Sequence, residues 1–168
     1  MTPVAHTVYI SVGSNIGRKL DNCRQGMDAV TADRGIAAGS RSLFYRTSPV
    51  DFTDQDWFVN AVFSVRTLLA PAQLLARLQM IQTGAGRKKS TVRFGPRVLD
   101  LDILLFDDLI VSSPDLIIPH PRMHKRRFVL RPICDINSHL VHPVLKKEMG
   151  ELLACLDENE QPVTVIDD

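Results

Sequence analysis

A short apolar run that carries two aspartates constrains the fold of this chain most strongly. Residues 98–106 read Val-Leu-Asp-Leu-Asp-Ile-Leu-Leu-Phe, the composition of a buried β-strand. Side chains of a strand alternate between its faces, so Asp100 and Asp102 point the same way, with Cα atoms roughly 6–7 Å apart. A buried pair of like charges is costly unless positive charge lies between them. Mg²⁺ fits this need, because it takes one or two carboxylates and fills its other positions with water and phosphate oxygens.

A basic segment precedes the two aspartates. Between residues 87 and 97 there is no acid, and the cations are Arg87, Lys88, Lys89, Arg93 and Arg97. Guanidinium and ammonium groups beside a carboxylate pair are what a polyphosphate with bound Mg²⁺ requires. The alternative is structural, with the aspartates in salt bridges to Arg93 and Arg97. The Asp-x-Asp spacing alone does not decide between these two interpretations.

Length and charge favour a single domain, residues 1–168, that binds a small anion. The 168 residues are 45% hydrophobic and have a formal net charge of +1, which suits a globular domain with a substantial core. Segments 87–97 and 122–131 together hold 10 of the 20 Lys and Arg residues. Local positive charge on a nearly neutral chain indicates a small anionic ligand rather than nucleic acid.

The cysteines and the N-terminus predict a cytoplasmic protein. Cys23, Cys134 and Cys155 show no CxxC spacing, which is typical of reduced thiols. The N-terminus lacks a charged region followed by an apolar one, so no signal peptide is predicted. No apolar run approaches the ~20 residues of a membrane span, and we expect no membrane association.

Hydrophobic periodicity predicts the element order β-α-β-β-α-β. Strands are predicted at 8–12, 36–46, 58–68 and from residue 98 onward. Helices are predicted at 18–33 and at 71–83. This order predicts an α+β fold with a ferredoxin-like core, in which helices pack on a mainly antiparallel sheet. A C-terminal extension follows, with a short helix at 148–156 and an acidic, solvated tail at 157–168.

Five motifs occur in a fixed order between residues 8 and 156. They are Tyr9–Gly17, Tyr45–Thr47, Phe58–Ala61, Arg93–Leu105 and Ile118–His124. Taken together they closely resemble the 6-hydroxymethyl-7,8-dihydropterin pyrophosphokinase family of folate biosynthesis. The resemblance implies transfer of pyrophosphate from ATP to the hydroxymethyl group of a reduced pterin, with release of AMP. It also implies two Mg²⁺ ions bound with ATP.

The resemblance assigns roles to individual residues. Asp100 and Asp102 match the family's Mg²⁺-binding aspartates, and Arg87 and Arg97 match its phosphate-binding arginines; these four form the implied catalytic set. The residues implied in ATP binding are Gln79, Gln82, Arg87, Lys89, Arg97, Ile103, His120 and Arg126. Those implied in pterin binding are Thr47, Val50, Phe58, Asn60 and Phe128. In the family an aromatic pair, here the two phenylalanines, sandwiches the pterin, and an amide bonds its ring.

Three positions depart from the family pattern. Phe94 replaces a common Trp, Gln82 stands where Glu is frequent, and Arg127 occupies a position that is usually small. These departures concern contacts with the nucleotide more than the reaction itself.

The alternative function class is a non-catalytic ferredoxin-like module that binds RNA or a regulatory nucleotide. RNA binding predicts exposed aromatic side chains on strands, beside basic residues. The aspartate pair argues against it, because carboxylates repel phosphate unless a metal is present. We therefore expect a monomeric enzyme whose partners are ATP and a reduced pterin, without nucleic acid or membrane partners.

Overall fold

A single antiparallel sheet forms the centre of the protein, for which a computed structural model describes residues 4–49, 53–86 and 96–166. The strands are β1 (His6–Ser14), β2 (Ile36–Arg41), β3 (Tyr45–Thr47), β4 (Phe58–Thr67), β5 (Asp100–Phe106), β6 (Val111–Ser112), β7 (Ile117–Ile118) and β8 (Val163–Val165). The helices are α1 (Lys19–Thr31), α2 (Pro71–Gly84), α3 (Arg127–Asn137) and α4 (Met149–Ala154), with a 3₁₀ turn at Met123–Lys125. No helix within the described ranges is long and apolar enough to cross a membrane. Val50, Arg87 and Lys89 lie outside these ranges.

The strand order confirms the predicted α+β class and its ferredoxin-like core. The main sheet runs β5-β1-β4-β3-β8, and β2 pairs with β4 alongside β3. Each pairing in this sheet is antiparallel. If β2 and β3 are taken as one interrupted strand, the order is that of a split β-α-β unit repeated twice. Strands β6 and β7 form a separate two-stranded ribbon.

The strand predicted at 36–46 is interrupted, because serine side chains replace main-chain pairing at its middle. The pairing of β2 with β4 shifts between Ala38 and Arg41. There, Ser40 N–H donates to Ser64 Oγ at 2.9 Å, and Val62 N–H donates to Ser42 Oγ at 2.9 Å. Such a bulge bends the strand, and β3 resumes the pairing at Tyr45.

Helices α1 and α2 cover one face of the sheet, as the periodicity predicts. Strand β1 contributes Val8, Ile10 and Val12 to this core, all at most 1% exposed. They pack with residues of the two helices, among them Cys23, Val30, Leu74 and Leu78. Each fully buried aliphatic side chain of this kind stabilises the fold by about 1.5–3 kcal/mol.

Helices α3 and α4 cover part of the opposite face. A second bulge, between Tyr9 and Ile10 in the pairing of β1 with β5, changes the alternation of β5. As a result Leu104 and Leu105 both join the cluster under these helices, with Leu130 and Leu152. Asp100 and Asp102 lie at the other end of β5, so this face also has a polar part.

The tail predicted to be solvated contains a strand at residues 163–165 that was not predicted, although Thr164 and Val165 are exposed. These residues form β8, which pairs with β3 so that Val163 lies opposite Thr47 and Val165 opposite Tyr45. The segment before the strand, residues 157–160, is exposed as predicted. The tail therefore extends the sheet as an edge strand.

Tyr45 joins β3 to α3 through its hydroxyl, which donates to Asp135 Oδ2 at 2.5 Å. We predict that Tyr45→Phe lowers the free energy of unfolding by about 1.5–3 kcal/mol, the scale of a hydrogen bond to a charged group. Urea denaturation followed by circular dichroism measures this. Tyr9→Phe removes a hydroxyl from the same face of the sheet and serves as the matched control. Equal losses of unfolding free energy in the two variants would contradict a specific contribution of the Tyr45–Asp135 hydrogen bond.

Candidate active site

Three strands bring an acidic group and an amide onto one row of the polar face. In the pairing registers Asp100 lies opposite Gly13, and Gly13 lies opposite Asn60. Two strand spacings separate the outer members, so their Cα atoms are roughly 10 Å apart. Gly13 keeps the middle of the row clear, because a Cβ there would meet Asn60 Oδ1 at 2.6 Å. The next row along β5 pairs Asp102 with Ser11.

The two aspartates lie on the same face, as their spacing predicts, and both are half-buried. In the described part of the chain, no three or more His, Cys, Asp and Glu side chains are grouped so as to hold a metal ion. Here the protein would therefore supply two carboxylates and leave the remaining coordination positions to other ligands. This donor set suits Mg²⁺, which keeps water and binds substrate phosphates, better than Zn²⁺, which takes four or three protein ligands.

Gln82 joins α2 to the outer edge of β5. Its Oε1 accepts from Leu101 N–H at 3.2 Å, and its Nε2 donates to Leu78 O at 3.3 Å. Leu101 lies between the two aspartates, so this contact holds the part of the strand that carries them. The departure from Glu at this position has a structural reason, since a carboxylate lacks the donor that the Gln82 amide supplies.

Two of the residues implied in ATP binding lie away from the aspartate face. The Ile103 side chain is 4% exposed and packs in the core under α1 and α2, so any contact with a nucleotide would use its main chain. Gln79 is exposed on α2. The structure does not bring either side chain to the carboxylates.

His120 lies beside the edge of β5, where its main-chain N–H donates to Leu104 O at 2.9 Å. Burial lowers the pKa of its imidazole to about 4; the nearby Arg126 and Arg122 guanidiniums add to this, and Asp100 opposes it. His120 Nδ1 accepts from Arg122 N–H at 3.1 Å. A neutral ring that accepts at Nδ1 carries its proton on Nε2. His120 is therefore a neutral hydrogen-bond donor near physiological pH.

Asn15 holds Arg97 next to the loop before β4, a role that the sequence did not reveal. Arg97 N–H donates to Asn15 Oδ1 at 2.7 Å, and Asn15 N–H donates to Arg97 O at 3.0 Å. The Asn15 amide also donates to Gln55 Oε1 at 2.8 Å and to Asp56 O at 3.3 Å. The one available signal was an Asn in a glycine-bounded turn, which local turn chemistry also explains.

A cavity of about 190 Å³ lies at the other end of the row. It is lined by Thr47, Ser48, Pro49, Thr53, Phe128, Glu160, Gln161, Pro162 and Val163. Asn60 is next to it, since the Asn60 amide donates to Thr47 Oγ1 at 2.6 Å. Phe58 lies opposite Thr47 in the register of β3 with β4.

The structure thus brings together four of the five residues implied in pterin binding: Thr47, Phe58, Asn60 and Phe128. Phe58 and Phe128 are half-buried, and Phe128 forms part of a cavity wall instead of an exposed stacking platform. The Arg126 guanidinium lies 5.3 Å from the centroid of the Phe128 ring, which links the cationic side of the site to the cavity. The contribution of residues 160–163 to the lining was not predicted.

Residues 9–138 match the sequence model of the 7,8-dihydro-6-hydroxymethylpterin-pyrophosphokinase (HPPK) family. The chain belongs to the HPPK family. It is 39% identical over 149 residues to the 2-amino-4-hydroxy-6-hydroxymethyldihydropteridine pyrophosphokinase of Methylorubrum extorquens, a match that covers 89% of this chain and 92% of that protein. It is 44% identical over 137 residues to the folic acid synthesis protein fol1 of Pneumocystis carinii, which covers 82% of this chain.

Some relatives of this HPPK chain are much longer than it. The match spans 18% of the Pneumocystis carinii protein. Among solved structures, the wild-type HPPK-DHPS of Plasmodium falciparum with pteroate resembles this fold, with a TM-score of 0.70 at 13% identity. The likeness covers 92% of this chain and 43% of that one, and it supports the fold alone.

We predict that His120 makes the stability of this HPPK chain depend on pH. The pKa of His120 is about 4 in the folded protein and lies near its ordinary value of 6.5 in the unfolded chain, so the unfolded chain binds more protons in between. Stability should be complete above pH 6.5 and fall toward pH 4, with a slope of at most about 1.4 kcal/mol per pH unit from this residue.

His120→Gln, which does not titrate, should reduce that slope in denaturation curves measured across the interval. Imidazole nitrogen NMR of the unsubstituted protein gives an independent measurement, with Nε2 protonated and no titration above pH 5.5. A His120 pKa near 6.5, or an Nδ1-protonated ring, would contradict the prediction.

Proposed function

We propose that this protein transfers pyrophosphate from ATP to the hydroxymethyl group of 6-hydroxymethyl-7,8-dihydropterin, giving the pterin diphosphate and AMP in folate biosynthesis. The observation that carries the proposal is the row Asp100, Gly13, Asn60 on one face of the sheet. In this proposal the carboxylate end of the row would bind a metal–nucleotide complex, and the cavity of about 190 Å³ at the other end would bind the bicyclic ring. Gly13, which has no side chain, lies between the two ends. Membership in the HPPK family supports the same reaction.

On the nucleotide side, Asp100 and Asp102 would hold Mg²⁺, as two ions bound with ATP. When bound, Mg²⁺ neutralises phosphate charge and makes the attacked phosphorus more electrophilic. Phosphoryl transfer needs positioning and charge stabilisation more than covalent help from the protein. His120 would donate a hydrogen bond from Nε2 to a phosphate oxygen, and Arg97 and Arg126 would add positive charge.

The segment before Arg97 would complete the nucleotide side of the site. Arg87 and Lys89 are proposed as further phosphate ligands on the family resemblance alone. For Gln79 and Ile103 we propose contacts with the adenine on the family resemblance alone, with Ile103 acting through its main chain. The structural role of Gln82 supports an indirect part in binding, through the strand that carries the aspartates.

On the pterin side, Phe58 and Phe128 would hold the ring between their faces. The Asn60 amide, oriented by Thr47 at 2.6 Å, would bond to the ring edge, and Val50 is proposed as a further contact on the family resemblance alone. We propose that a ring held there would place its hydroxymethyl group toward Asp100, at the other end of the row. Near-attack positioning of this kind accounts for much of the rate of a two-substrate transfer. We propose that the enzyme is monomeric, since the proposed site requires no residue from a second copy of the chain.

We predict that ATP, Mg²⁺ and the reduced hydroxymethyl-pterin together give AMP and the pterin diphosphate. Chromatography of the nucleotides measures the product directly. Reactions without pterin, or with EDTA, are the controls and should release no AMP. ADP as the main product would contradict the proposed transfer and would indicate a simple kinase.

We further predict that Asp100→Asn and Asp102→Asn each lower turnover about 10³-fold or more, the effect of losing several kcal/mol of charge stabilisation. The melting temperature should not fall, because either change relieves repulsion between two neighbouring carboxylates. Asp108→Asn, an exposed aspartate shortly after the same strand, is the matched control. Normal turnover with a lowered melting temperature would instead favour structural salt bridges.

A further inference from the structure

The C-terminal segment, residues 158–165, forms one side of the cavity assigned to the pterin. Glu160, Gln161, Pro162 and Val163 line it, together with Phe128 and the Thr47 end of β3. Val163 pairs with Thr47 in the sheet, so the segment is attached to the wall that carries the amide contact. Sequence patterning had predicted a solvated tail here.

Gln161 also attaches the segment to the start of α3. Arg127 N–H donates to Gln161 Oε1 at 3.0 Å, and Gln161 Nε2 donates to Lys125 O at 3.1 Å. The side chain of the preceding residue, Arg126, makes no capping hydrogen bond to this helix. Gln161 therefore satisfies one of the N–H groups that a helix start leaves without a partner.

The Arg127 side chain adds a third hydrogen bond to this junction. It is 8% exposed, and its Nη1 donates to Gln161 O at 2.8 Å. The carboxylate of Glu158 lies 3.9 Å from Nη2 but is 80% exposed, so it contributes little. Arg127, which stands where the family pattern has a small residue, thus binds the main chain of the C-terminal segment.

Phe128 follows Arg127 directly, so the junction is next to the ring that would stack on the pterin. The three hydrogen bonds fix the first turn of α3 against the C-terminal segment, and β8 fixes that segment against β3. The separation between Phe128 and the Thr47 wall therefore depends on the junction. Stacking between flat rings requires a gap of defined width, and a wall that is already in place costs less entropy on binding.

We propose that Arg127 and Gln161 are positioning residues of the pterin site, which hold Phe128 and the C-terminal segment at the separation that the ring needs. The proposal rests on the proposed function, because it assumes that the cavity binds the pterin. Neither residue takes part in the chemical step. Loss of the junction should weaken pterin binding more than nucleotide binding, because the junction is next to Phe128, whereas on the nucleotide side it adjoins Arg126 alone and the carboxylates lie at the other end of the row.

The test compares Gln161→Ala with the unsubstituted protein. The dissociation constant and KM for 6-hydroxymethyl-7,8-dihydropterin should both rise about tenfold. Calorimetry with Mg²⁺ and a non-hydrolysable ATP analogue gives the pterin affinity. The affinity for the analogue alone and kcat at saturating pterin should stay within about twofold of the unsubstituted values.

Two further variants separate positioning from stability. Gln161→Glu keeps an oxygen that accepts from Arg127 N–H but loses the donor to Lys125 O, so it should recover only part of the pterin affinity that Gln161→Ala loses. Gln73→Ala is the matched control, because Gln73 Oε1 accepts from Ala70 N–H at 2.8 Å at the start of α2. Gln73→Ala removes a glutamine side-chain contact with a main-chain N–H at a helix start that is not part of the cavity. It should lower the melting temperature without changing the pterin affinity.

The outcomes distinguish this proposal from the function on which it rests. Phe128→Ala should weaken pterin binding if the cavity is the pterin site. If it does so while Gln161→Ala changes the melting temperature alone, the junction is purely structural and the positioning proposal is overturned. Equal losses of pterin and nucleotide affinity in Gln161→Ala would also overturn it. If the unsubstituted protein neither binds the pterin nor forms AMP, the proposed function itself fails.

Discussion

The pairing of β1 with both of its neighbours is the interaction on which the site depends. Strand β1 is antiparallel to β4 on one side and to β5 on the other. Its register is fixed because Val8, Ile10 and Val12 must lie under α1 and α2. A slip of one residue between β1 and β5 would turn Asp100 and Asp102 into that core, at a large cost in desolvation. The apolar face thus determines where the polar face places its functional groups.

Local patterns were sufficient to predict much of this fold. The alternation in β4, the helical spacing in α1 and α2, and the paired aspartates of β5 are properties of a few neighbouring residues. The break between β2 and β3 was not predictable in this way, because it depends on Ser64, which lies across the sheet. Similarly, β8 is only three residues long, and it forms a strand because β3 offers an unpaired edge.

The residues of the candidate site also divide into those that a local pattern predicts and those that depend on distant parts of the chain. The aspartate pair follows from strand geometry, whereas Thr47, Asn60 and Phe128 were grouped by the family resemblance and are neighbours through register and helix packing. Asn15 and Gln161 were missed, since each acts through main-chain groups of distant segments. A side chain that holds another segment in place has no sequence signature of its own. The binding and catalytic roles of all the site residues remain predictions, and Arg87, Lys89 and Val50 also lie outside the described ranges.

One wall of the cavity is formed by the C-terminal segment, residues 158–165, and this affects the order in which the two sides of the site fold. Strands β3 (Tyr45–Thr47) and β8 (Val163–Val165) are more than 110 residues apart in the chain, yet they pair directly. Contacts between such distant segments form late, because the entropy of closing a long loop must be overcome first. During synthesis, the strands and helices that carry the aspartates can assemble while the C-terminal segment is still within the ribosome. The nucleotide side can therefore be in place on a nascent chain before the ring-binding side has its last wall.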